Sequence, residues 1–181
     1  MFIPEITTTW NVKVTDESLE KAISTFEDDK ILSVAGTDVL NQLLKAKDDL
    51  ESAGHEVAKS IGETQKSYQE QFIRMNQSVK TGMMLNSTEI TEDGMGTVHI
   101  GNTASSVDGF PYPLSIEYGR GPVYPVDKKV LRWFGDNGEP IFRKSAGPAK
   151  AKPFVEPSQE NTLEDVDKIV DEFMKNVFGG I

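Results

Sequence analysis

The chain contains no cysteine. That excludes a disulfide framework, a thiol nucleophile and a zinc–cysteine centre, and it suits folding in a reducing cytoplasm without requiring it. Histidine is scarce: His55 and His99 stand apart, and neither has a His or Cys at ligand spacing, so no metal centre is expected. Long apolar runs are missing, and no segment approaches the roughly 20 residues that a membrane helix needs. Met1 is followed by Pro4 and Glu5 and not by a basic segment with an apolar core, so no secretory signal is expected. Catalytic signatures are equally thin. There is no Gly-x-Ser-x-Gly elbow, and Gly119-Arg120-Gly121 lacks the Gly-Lys-Ser/Thr of a phosphate loop. Asp93, Asp108 and Asp136 sit at turns without the alternating oxygens of a calcium loop. The acidic neighbours Asp28-Asp29 and Asp48-Asp49 fall on solvated helix faces. No catalytic, cofactor-binding or metal residue is assigned, and no cofactor is expected.

Basic residues are in deficit, 19 Lys/Arg against 29 Asp/Glu in 181 residues, a net charge of −10. This argues against sequence-independent duplex binding, in which Lys and Arg must replace phosphate counterions. The charge is uneven. Residues 120–152 carry eight Lys/Arg against three Asp/Glu, a local +5, and the rest of the chain carries −15. Opposite signs on two surfaces of one chain steer copies together head to tail.

The periodicities predict an α+β domain. Ile6, Thr8, Trp10, Val12 and Val14 alternate with polar neighbours, the pattern of a half-buried strand over 5–14. Thr15 or Asp16 is placed to cap a short helix whose apolar face is Leu19, Ala22, Ile23 and Phe26. Residues 30–34 read as a second short strand. From about Asp38 a long helix is expected, with Leu40, Leu43, Leu44, Leu50, Val57, Ile61, Tyr68 and Phe72 along one side. Gly54 and Gly62 are candidate bends, and the runs KAKDDLES and ETQKSYQEQ read as its solvated surface. Thr81-Gly82 breaks the helix. A hairpin is expected over 86–101, turning at Glu92-Asp93-Gly94, and then a polar loop over 102–111. A short helical stretch over Tyr112–Tyr118 has Gly119 available as a left-handed C-cap. A second hairpin turns at Gly135-Asp136-Asn137-Gly138, and SAGPAKAK reads as a flexible basic loop. Thr162 with Asp165 resembles a capping box opening a final helix. The expected architecture is the long helix packed on an antiparallel sheet of about four strands, with the C-terminal helix beside it.

One cluster has the make-up of a contact site. Glu117, Tyr118 and Gly119 close a segment bounded by proline and glycine, and Arg120 follows. Such a corner presents charge and an aromatic ring to a neighbour. The alternative is a helix end in which Glu117 pairs locally and Tyr118 packs on the sheet.

The order of motifs carries more than any one of them. KILSVAGTDVLNQLLKAKDDL opens a series that continues through Thr81-Gly82 with Asn86-Ser87, Tyr112 with Glu117-Tyr118-Gly119, and Ala151-Lys152-Pro153-Phe154-Val155-Glu156-Pro157. This series resembles that of the head–tail connector and tail-completion (neck) proteins of long-tailed bacteriophages. The likeness spans about residues 30–178. It sets 1–30 apart as an N-terminal extension and 31–181 as the connector-like domain. Met83-Met84 replace the aromatic and basic residues usual near the Thr-Gly turn, and the loop before Tyr112 is longer than usual. The resemblance implies a structural virion protein made in the host cytoplasm, a ring of about six or twelve copies joining the DNA-filled head to the tail tube. Its implied partners are further copies, a head-completion or connector protein and a tail tube or terminator protein. DNA passes through the lumen without specific binding, and no membrane is involved. Tyr112, Glu117, Tyr118, Arg120, Lys150 and Lys152 are the candidate partner contacts. Thr81, Gly82, Gly119, Pro153 and Phe154 are the candidate structural motif, with Phe154 anchored in the core. An assembly chaperone that never enters the particle is the alternative reading, and a small hydrolase has no motif in its favour.

Overall fold

The computed structural model describes residues 6–13, 17–28, 37–77, 82–93, 96–105, 112–134 and 137–178. In chain order the elements are β1 (Ile6–Asn11), α1 (Glu17–Asp28), α2 (Thr37–Met75), α3 (Met83–Asn86), β2 (Thr88–Glu92), β3 (Thr97–Asn102), α4 (Tyr112–Glu117), β4 (Leu131–Phe134), β5 (Pro140–Arg143) and α5 (Val155–Phe178). The class is α+β, as the periodicities predict. The strands, however, divide into a sheet ordered β1-β3-β2 and a separate β4-β5 pair, where one sheet of about four strands is expected. The strand expected over 30–34 lies outside the described residues.

The chain folds as two compact units. One comprises Thr7–Ser67, Ile90–Ile100 and Glu160–Ile181. Its core is Ala58 of α2 against Val98 and Ile100 of β3, with Trp10, Val12 and Ile90 packed around them. The central strand β3 is buried along almost its whole length, as a strand with neighbours on both edges must be. Antiparallel pairing shows in Val12 N–H donating to the Gly96 carbonyl at 2.9 Å and Asp93 N–H to the Thr97 carbonyl at 3.2 Å. Asn11 Nδ2 adds a 2.7 Å bond to Thr97 Oγ1. Because β1 is a strand of this sheet, the segment set apart in the sequence as an extension contributes to the unit's own core.

The long helix α2 meets this sheet at Gly62. A Cβ there would lie 2.6 Å from Val98 Cγ1 and 3.7 Å from Ile100 Cδ1, so Gly62 serves close approach, where the sequence suggests a bend. Val57 and Ile61 are buried as expected, but Leu44 is 38% exposed, and no residue over 38–53 is buried. Gln65 and Gln69, placed by the sequence pattern on the solvated surface, are buried instead. For Gln65 the reason is tertiary: its Oε1 accepts a hydrogen bond from Trp10 Nε1 of β1. His55 Nε2 lies 2.9 Å from Glu92 Oε2, and His99 Nδ1 lies 2.9 Å from Thr9 Oγ1, so both histidines have local polar partners.

The other unit comprises Ile6, Tyr68–Glu89 and Gly101–Gln159. Its core is Ile6, Ile73, Met84, Ala104 and Phe154, with Phe72, Leu85, Tyr112, Leu114, Ile116 and Val155 packed against it. Buried Asn102 ties it together. Its Nδ2 donates to the Met84 carbonyl and to Thr88 Oγ1, each at 2.8 Å, and its Oδ1 accepts from Ala104 N–H at 3.2 Å.

A Gly62→Ala substitution tests the helix–sheet approach. Helix propensity alone would favour Ala by about 1 kcal/mol. The crowding against Val98 reverses the sign, and a net loss of about 1–3 kcal/mol is expected in urea denaturation. Combining it with Val98→Ala should cost less than the sum of the single changes. Strict additivity would place Gly62 away from Val98.

Candidate functional site

The corner that the sequence singles out is built around a buried carboxylate. Helix α4 uses Tyr112, Leu114 and Ile116 on the core and ends at Tyr118, whose N–H donates to the Leu114 carbonyl at 3.0 Å. Gly119 then turns the chain at φ 72°. A Cβ at this position would stand 2.7 Å from the Ala149 carbonyl oxygen and 2.8 Å from Ala151 N. Only glycine satisfies both the left-handed backbone and that approach.

Glu117, the last residue of α4, is 3% exposed. Its Oε2 accepts from Phe154 N–H at 2.7 Å and Val155 N–H at 3.0 Å, and its Oε1 accepts from Glu156 N–H at 3.0 Å. The next residue, Pro157, has no N–H to satisfy. All the orphan donors that open α5 are therefore accounted for by one side chain from 37 or more residues earlier. The negative charge also lies at the positive end of the helix dipole. The sequence offers Glu117 to a neighbour; the structure turns it inward as a helix cap. The same contact moves the start of α5 to Val155, well before the Thr162–Asp165 box, and Thr162 is buried within the helix. Phe154 is fully buried, as expected of the Pro-Phe anchor.

The other candidates separate into internal and outward groups. Lys152 is internal by bonding: its N–H donates to the Ile116 carbonyl at 2.7 Å, and its Nζ donates to the Asn76 carbonyl at 2.8 Å, just beyond the C-terminus of α2. Asn76 Nδ2 returns bonds to the carbonyls of Lys152 and Pro153 at 3.1 and 2.9 Å. Arg120 exchanges backbone bonds with Ala149 at 3.0 and 2.9 Å, and its guanidinium reaches the Gly147 carbonyl at 3.0 Å. Tyr112 is half-buried, and burial pushes its phenol above the ordinary value. Tyr118 is 73% exposed, and Lys150 and Lys152 are also exposed. Gly82 caps α3 at φ 70°, and Thr81 lies outside the described residues.

The outward surface is one that the sequence reading missed. Bridges at Arg120–Ala149 and Val123–Ala146 lead into the β4–β5 hairpin, paired Leu131 with Arg143 through Phe134 with Pro140. The basic segment read as a flexible loop is thus one side of a long antiparallel arm. No described residue from Tyr118 to Pro153 is buried. Tyr124, Val126, Phe134 and Phe142 are 64%, 94%, 60% and 52% exposed. The available signal was the interleaving of basic and aromatic residues over 118–143, without an apolar face for a core.

Among the described residues no group of His, Asp or Glu is arranged to hold a metal ion, and no helix is long and apolar enough to cross a membrane. No protein-family model, curated protein or solved structure matches this chain.

Glu117→Ala should destabilise the chain by roughly 3–5 kcal/mol, because it leaves buried donors unpaired at a helix start. Glu117→Gln should cost roughly 1–3 kcal/mol, since one acceptor oxygen remains. Amide exchange at residues 154–156 should accelerate in both, whereas Phe154→Ala should cost about 3–5 kcal/mol as a core truncation. Unchanged exchange at those amides in Glu117→Ala would remove the carboxylate from this role.

Proposed function

We propose that this chain is a structural protein of a bacteriophage neck, an adaptor that assembles with its own copies between the DNA-filled head and the tail tube. The observation that carries the reading is the meeting of Glu117-Tyr118-Gly119 with Pro153-Phe154 through the Glu117 carboxylate. Two motifs of the connector-like series, distant in sequence, form one structural joint. That supports treating the series as one structural set. It also speaks against catalysis at the corner, because both carboxylate oxygens are occupied by backbone donors and not open to a substrate. The exposed basic and aromatic arm adds a surface for assembly, and the net charge of −10 suits a protein past which DNA must slide without tight phosphate contacts.

Disrupting the gene in the phage that carries it should yield DNA-filled heads and separate tails, with joining restored by the protein supplied in trans. Mass spectrometry should find the chain in purified particles, and image reconstruction should place it in the neck. Its absence from particles, with assembly still dependent on it, would favour the chaperone role. Normal infectious particles without it would end both readings.

A further inference from the structure

The arm and the Glu160–Met174 face of α5 are complementary surfaces. On the arm, Arg132 and Phe142 are cross-strand partners. The Arg132 guanidinium stacks 5.2 Å from the Phe134 ring centroid and 5.9 Å from that of Phe142. One face of the hairpin is therefore a preformed cationic and aromatic platform. Trp133 and Ile141 pair on the other face, and Trp133 is still 38% exposed. A two-stranded ribbon with no packed face is marginal in water, and exposed aromatic patches of this kind mark contact surfaces.

On α5, Glu160, Leu163, Glu164, Asp167, Asp171 and Met174 are all exposed. At 3.6 residues per turn they fall within an arc of about 100° and extend along about 21 Å of helix. Leu163 is 57% and Met174 48% exposed. The stripe is acidic with apolar contact points near its two ends, the inverse of the arm.

We infer that the arm of one copy docks on the acidic stripe of α5 in the next copy. The inference rests on the self-assembling role proposed above and names the surfaces that carry it. Charge favours this occupant over a nucleic acid: the arm lies in the stretch that holds a local +5, while the chain as a whole carries −10 and repels a polyanion. The arm and the stripe are different patches, so the contact is heterologous and repeats from copy to copy, as a closed ring requires.

Sedimentation velocity on the purified full chain tests this. The wild type should self-associate, and raised salt should weaken association about tenfold by screening the exposed charges. R132E, on the platform face, and D167K/D171K should each be monomeric, with melting temperatures close to the wild type because the altered side chains are exposed. Mixing the two variants should restore association, since each then finds an opposite charge. A monomeric wild type, association undiminished in either variant, or a mixture that stays monomeric would overturn the contact. So would an arm that binds DNA while the chain remains monomeric. Location in the particle separates this result from the neck reading. A monomeric chain found in the neck would sink the contact alone. Association through these surfaces by a chain absent from particles would sink the neck reading alone.

Discussion

The Glu117 carboxylate lies at the first turn of α5 and holds the backbone N–H groups of Phe154, Val155 and Glu156. Much of its unit follows from that contact. A buried carboxylate is tolerable only when its lone pairs are engaged, and a helix start inside a protein is tolerable only when its donors are. Each requirement meets the other. The contact fixes where α4 must end, and so why the chain must turn at once through the left-handed Gly119. The close approach of Gly119 to Ala149 and Ala151 in turn lays the returning chain beside 120–123. Phe154, delivered by the same segment, completes the core with Ile73 and Met84.

The arm departs from this joint. Residues 120–149 leave a base held by the Arg120–Ala149 and Lys152–Ile116 backbone bonds and run outward without a buried residue among those described. A core element spends its aromatic side chains on internal packing. Here Tyr124, Phe134 and Phe142 remain exposed beside arginine. The unit thus separates a part that specifies the fold from a part that presents a surface.

Much of the architecture was legible in local pattern. The alternation of Ile6, Thr8 and Trp10, the stripe through Val57 and Ile61, the two hairpins, the turn at Gly119 and the anchor at Phe154 each rest on near neighbours in sequence, and short-range sterics and periodicity report them directly. The candidate site was less legible. The motif residues were found, but Glu117 was offered to a partner when its carboxylate is buried and its bonds are internal. Nothing local distinguishes a glutamate that caps a distant helix from one that meets solvent. Gln65 was misplaced for the same reason: its burial goes with a hydrogen bond from Trp10, a residue of another element.

By itself, the sequence determined the α+β class, the presence and start of the long helix, the turn at Gly119 and the charge imbalance between 120–152 and the rest of the chain. These follow from backbone preference and composition, which act within a few residues or require no geometry at all. Only the tertiary structure decided that α5 starts at Val155, that the strands split into a three-stranded sheet and a separate pair, that Gly62 admits β3, and that the basic stretch is a paired arm and not a loose loop. Each of those outcomes depends on groups far apart in the chain satisfying one another's hydrogen bonds or filling one another's space. Such pairings exist only after the chain has closed on itself.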